Sequence, residues 1–262
     1  MRGLMARCAN LFKPAPVDLA EPLWQALRAR LAWIALLQPA QQQRLRALTA
    51  GFLARKVITP IDGFALEPLQ RAVIAALCCQ PVLRLGGRWL RGWKQVIVYP
   101  DAFRAHRSHT DEATGVVFEG EEELAGEAWE FGPLVLSWAD IALDLDEPGA
   151  GFAVVAHEIA HKLDALDGVL DGTPPLPSAR RAAWVHDFQQ AYDALAAQVD
   201  AGRNTVIDPY AASAPEEFFA VVSEYHFSAP DLLAAAMPAV AAHLEAFYGP
   251  APGFSAAAES AG

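Results

Sequence analysis

A chain of 262 residues, 53% of them apolar, can bury a sizeable core in one large domain or two small ones. Its formal net charge of −11 argues against nucleic acid as a direct ligand, and no apolar run reaches the length of a membrane span. The cysteines are few and oddly spaced, with Cys78 and Cys79 adjacent and Cys8 remote, so reduced thiols and a cytoplasmic home are expected rather than disulfides or a cysteine-held zinc.

Residues 1–17 read as a mobile lead-in, kept extended by Pro14 and Pro16. They contain Arg2 and Arg7 but no uninterrupted apolar stretch, so no secretory signal is expected. Leu23, Trp24, Leu27, Leu31, Ile34 and Leu37 form a helical stripe over 21–37, and Pro39 opens a second helix to about Leu53. Lys56 to Thr59, closed by Pro60, reads as a strand; Leu66 to Gln80 as an apolar helix; Val96 to Tyr99 as a second strand. The polar stretch 101–126, with His106, His109 and an acidic run, reads as a solvated loop. Residues 127–138 read as a strand whose Pro133 points to a sheet edge, and 144–151 as an acidic, Gly-rich approach to the next helix.

That helix carries His157-Glu158-Ile159-Ala160-His161, an H-E-x-x-H. Residues four apart share a helix face, so the two imidazoles can serve one tetrahedral metal ion, which suits zinc. Glu158 projects from the neighbouring face, where it can take a proton from a water activated by the ion. Apolar residues at helical spacing, among them Val155, Ile159 and Leu163, bury one side of the helix, and Asp167-Gly168 reads as its stop.

Downstream, Ser178 is expected to cap a helix to about Val199, with Trp184, Phe188 and Tyr192 on one stripe and His186 exposed or packing. Residues 204–212 form a loop containing Tyr210, 215–227 a helix, 231–247 a last helix, and 249–262 a disordered Pro/Ala/Gly-rich tail. Residues 18–248 show no repeat or long linker and read as a single domain.

Two histidines and a water leave one metal position open. A distant glutamate on another helix is one solution. The extended H-E-x-x-H-x-x-G-x-x-H/D form is another, with Asp167 at its last position, but Asp164 stands where that form has its glycine. Asp164 lies too far along the helix to share the ion and suits a role accepting the N–H of a histidine ligand. The acidic helix offers Glu216, Glu217 and Glu224. Ser213 and Glu216 are spaced as a capping box, which would occupy Glu216 locally and leave Glu217, a quarter-turn on, free to point inward. Glu224, two turns along roughly the same face, would orient a histidine or Tyr210, or be the ligand itself.

The segments HEIAHKLDALDG and Tyr210…APEEFFAVVSEYHF, with GPLVLSW and QVIVYP upstream, resemble the Mlc titration factor A family of bacterial metallopeptidases. They are similar, more remotely, to the catalytic domain of anthrax lethal factor. The resemblance implies a cytoplasmic, aminopeptidase-like zinc peptidase with one zinc per chain and a peptide or protein substrate. It also implies a link to an Mlc-like transcriptional repressor of glucose-transport genes. Its zinc ligands would be His157, His161 and Glu217, with Glu158 the catalytic glutamate and Tyr210 beside the zinc. The departures lie in the loop after Gly168 and in the Ala-rich tail, where substrate and partner choice would differ. The expected fold is α+β and zincin-like, mostly helical, with a small mixed sheet beside the active-site helix. A regulatory protein that sequesters a repressor, its metal site secondary, is the rival reading.

Overall fold

The structure, a computed structural model, describes residues 18–61, 63–101 and 132–251. The expectations for 1–17, for the stretch holding His106 and His109, and for the tail beyond 251 lie outside the described residues.

The chain opens with α1 (Glu21–Arg30) and a 3₁₀ turn (Ala32–Leu36), not the continuous helix expected to Leu37. Leu31 leaves helical geometry, and Leu31, Ile34 and Leu37 are all buried. A spacing of three suits a 3₁₀ turn, and a helical period does not distinguish the two. Next come α2 (Pro39–Arg55), β1 (Val57–Pro60), α3 (Pro68–Cys79), a 3₁₀ turn (Gly87–Leu90) and β2 (Gln95–Tyr99). Then follow β3 (Leu134–Ser137) and, directly after it, α4 (Trp138–Asp146).

Helix α4 replaces the expected end of a strand and the expected loop. Its N-cap is Ser137, whose Oγ accepts the Asp140 N–H at 3.0 Å, and S-x-x-D was the signal for it. Pro133 precedes β3 rather than interrupting it.

The three strands pair in the order β1-β2-β3, all parallel, with Ile58 opposite Val96 and Val96 opposite Leu134. This corrects the expected mixed sheet. Strands joined through a helix, as β1 and β2 are through α3, can return in the same direction. Among the described residues β3 pairs on one side only. Leu134 and Leu136 turn one face of β3 into the core, against α5 (Val154–Asp164), which also packs on α3 and α7.

After α5 the chain makes a 3₁₀ turn (Ala165–Asp167) and reverses at Gly168, whose φ of +91° favours glycine. Helix α6 (Ser178–Asp200) stacks Trp184 on Phe188 at 4.1 Å and 10°. Its N-cap is Pro177; Ser178 makes no cap bond. A 3₁₀ turn (Pro209–Ala212) leads to α7 (Pro215–Ser228). The expected last helix is two, α8 (Pro230–Ala236) and α9 (Pro238–Tyr248). Pro238 disfavours helical geometry at Met237 and starts a new helix at its own position.

The buried apolar side chains form one cluster from Leu19 to Tyr248. Cys78 and Cys79 lie in it with no exposed surface; burial pushes both thiols up, Cys79 to about 12. No helix among the described residues is long and apolar enough to cross a membrane.

Candidate metal centre

Helices α5 and α7 form the site between them. His157 is 2% exposed, and its ring lies 4.8 Å from that of His161, one turn on. The two Nε2 atoms approach to 3.2 Å. Glu217 comes from the first turn of α7, with Oε2 3.2 Å from His157 Nε2 and Oε1 3.5 Å from His161 Nε2. One ligand atom from each of His157, His161 and Glu217 falls within 4.8 Å of the others. Glu217 Oε2 is buried, and despite that approach to His157 it makes no well-directed hydrogen bond. Burial pushes the Glu217 carboxyl up, but the close approach of the His157 and His161 imidazoles outweighs it and holds the group below the usual carboxylate range. Two imidazole nitrogens and a carboxylate oxygen, converging with an unsatisfied acceptor among them, fit a divalent metal ion.

A second carboxylate stands behind His157. Glu224 Oε1 is 2.7 Å from His157 Nδ1, and its Oε2 accepts the Ala153 N–H at 2.8 Å. A carboxylate only accepts, so Nδ1 carries the proton and Nε2 keeps its lone pair facing His161 and Glu217. The role imagined for Asp164 therefore falls to Glu224. Asp164 is fully buried, but it accepts the Gly172 N–H at 2.8 Å and does not join the group of His157, His161 and Glu217. Burial raises its carboxyl to about 7, against the pull of the Gly172 and Thr173 amides. Asp167 also lies apart from the group and pairs with Arg181 at 3.6 Å.

The Asp164 contact serves another purpose. Gly172 has φ +78°, and its carbonyl accepts from Trp184 Nε1 at 3.1 Å. A Cβ on it would sit 2.5 Å from the Pro215 carbonyl oxygen, two residues before Glu217. The loop is thus clamped between the end of α5 and the start of α7, and only glycine fits there. The D-G dipeptide Asp171-Gly172 marked a turn, but not this contact.

The capping box is not formed. The N-cap of α7 is Ala214, and Ser213 Oγ donates to the Tyr210 carbonyl at 2.7 Å. What separates Glu217 from half-buried Glu216 is therefore distance to the histidines. Glu158 is half-buried on α5, one residue beyond His157. Lys162, one turn further on, lies within electrostatic reach of Glu158 and donates to the Gly132 carbonyl at 3.1 Å, tying α5 to the approach of β3. Tyr210 has its ring 6.4 Å from that of His157, tilted by 32°. Its N–H is held by Asp208 Oδ1 at 2.9 Å, and Tyr225 OH donates to the Val206 carbonyl at 3.1 Å, fixing the same loop to α7. His186 is exposed and pairs with Asp187 at 2.9 Å.

The model of the glucose-regulated metallo-peptidase M90 family matches residues 7–249. Mlc titration factor A of Escherichia fergusonii is 41% identical over 218 residues, covering 82% of this chain and 81% of that protein. Mlc titration factor A of Yersinia pestis (strain Pestoides F) is 40% identical over 218 residues, 82% of this chain and 80% of that one.

Proposed function

The chain belongs to the glucose-regulated metallo-peptidase M90 family, and from that membership we propose that it is a zinc-dependent, zincin-like peptidase with one ion per chain. The observation that carries the reading is the meeting of His157, His161 and Glu217 around a buried, unsatisfied carboxylate oxygen. These three residues would hold the ion. Zinc bound there would supply Lewis acidity toward a water and the scissile carbonyl. Glu158 is the general base: it takes the proton of the attacking water and passes it to the leaving amine. The Tyr210 hydroxyl donates to the oxyanion that develops on the carbonyl. Glu224 keeps His157 in the tautomer that presents Nε2. The side of β3 that pairs with no strand among the described residues holds the substrate backbone by strand addition. Residues 18–248 act as one catalytic unit in the cytoplasm, with aminopeptidase-like action on peptides.

The name shared by the relatives supports a second reading, capture of an Mlc-like repressor, with which the metal site would coexist. One variant tests both. Glu158→Gln keeps volume and ligands but removes the base, so it should retain about one zinc per chain and lose about two or more orders of magnitude in peptide turnover. Purified protein that neither contains nor takes up zinc, or a variant with near-normal hydrolysis, overturns the peptidase mechanism. Repressor capture that survives in the hydrolytically dead variant establishes binding as a separable activity.

A further inference from the structure

Gln80 follows the last residue of α3 and is only 8% exposed, yet its side-chain amide has no hydrogen-bond partner among the described residues. Two cavities, of about 250 and 130 Å³, meet at this residue: Trp33, Gln80 and Phe227 line both. The larger one is walled by apolar and aromatic groups, Leu37, Leu83 and Tyr248 among them, and also holds Arg44 and Arg84. No acidic residue lines it, although the chain carries a net charge of −11. Each arginine spends one nitrogen on a backbone carbonyl, Arg44 on Arg84 at 3.0 Å and Arg84 on Ala246 at 3.1 Å. Neither has a carboxylate within ion-pair distance among the described residues.

The Gln80 side chain lines both cavities and makes no hydrogen bond among the described residues, so a group that both donates and accepts can meet its amide there. A peptide unit is such a group. Apolar walls suit the side chain beside it, and two guanidinium forks suit a planar carboxylate. We propose that the groove around Gln80, Arg44 and Arg84 binds the carboxylate end of a peptide: the last peptide unit on Gln80, an apolar side chain against Trp33 and Tyr248, and the terminal carboxylate on the arginines. The site is separate from the metal group, and the inference stands whether or not the peptidase reading does.

The test is calorimetric binding of N-acetylphenylalanine to the full-length protein, beside its carboxamide and inorganic phosphate. The carboxamide should bind about tenfold more weakly, since it lacks the charge the arginines would meet. The Arg44→Ala, Arg84→Ala double variant should show a similar loss, and so should Gln80→Leu, while Glu217→Ala should bind as wild type does. Both arginines are on the surface, so the double variant should fold, and the carboxamide comparison needs no variant. Absence of millimolar binding, equal binding of acid and carboxamide, or phosphate binding as tightly as the acid would overturn the proposal. So would affinity that falls with Glu217→Ala and not with the arginine changes.

Discussion

Glutamine at position 224 would keep the volume of the side chain and change the bonding character of one atom. The carboxylate accepts two N–H groups at once, His157 Nδ1 on Oε1 at 2.7 Å and the Ala153 amide on Oε2 at 2.8 Å. A carboxamide has one accepting oxygen and one donating nitrogen. With its oxygen on Ala153, its NH₂ faces Nδ1, and His157 must move its proton to Nε2, covering the lone pair that the metal needs. With its oxygen on His157, the NH₂ opposes the Ala153 N–H, and a donor beside the start of α5 goes unmet. The first outcome should weaken metal binding by about 10–100-fold; the second should cost about 1–3 kcal/mol of stability. Competition against a chromophoric chelator reads the first, and urea unfolding of the apo and metal-loaded protein reads the second. Wild-type values of both in Glu224→Gln would refute the assignment of two accepted N–H groups to this carboxylate.

Among the acidic residues of α7, Glu217→Ala should cause the largest fall in metal affinity and Glu216→Ala little change; the reverse order in chelator competition would move the third ligand to Glu216. Tyr210→Phe should lower kcat more than it raises KM, because its hydroxyl is assigned to the transition state, and an unchanged kcat would leave the ring a packing partner of His157. His226 is buried, and burial, opposed by a hydrogen bond to the Gly249 backbone, lowers it from 6.5 to about 4. The unfolded chain therefore takes up a proton below pH 6.5 that the folded chain refuses until about pH 4, so stability falls as pH drops through that window, by about 3 kcal/mol at most. Unfolding free energies from pH 4 to 6.5 should decline less steeply in His226→Phe than in wild type; parallel curves would show that His226 titrates normally.

The histidine pair was legible because helical spacing alone puts residues 157 and 161 on one face, and burial on the other side of α5 keeps that face inward. The acidic residues were harder. Asp164 and Glu224 both lie at helical phases that could reach a ligand. What divides them is the reversal at Gly168, which draws Asp164 toward Gly172, and that is a tertiary fact. Glu217 was separated from Glu216 by a cap that does not form, although the choice agrees with the observed distances. The sheet was legible as short apolar strands but not in direction, since alternation is the same in parallel and antiparallel pairs. Leu31, Ile34 and Leu37 fit two helical periods over so short a run, and only packing separates them.

Cys78 and Cys79 sit side by side at the end of α3 with no exposed surface. A thiol reagent therefore reaches them only when α3 detaches from the core, and the same opening removes the burial that raises their pKa values. With Cys8 replaced by serine, the rate of thiol labelling becomes a clock for that opening, read without introducing a new residue into α3. Because α3 packs on the metal helix, the same clock run with and without zinc would report how far an ion held between α5 and α7 restrains a helix that offers it no ligand.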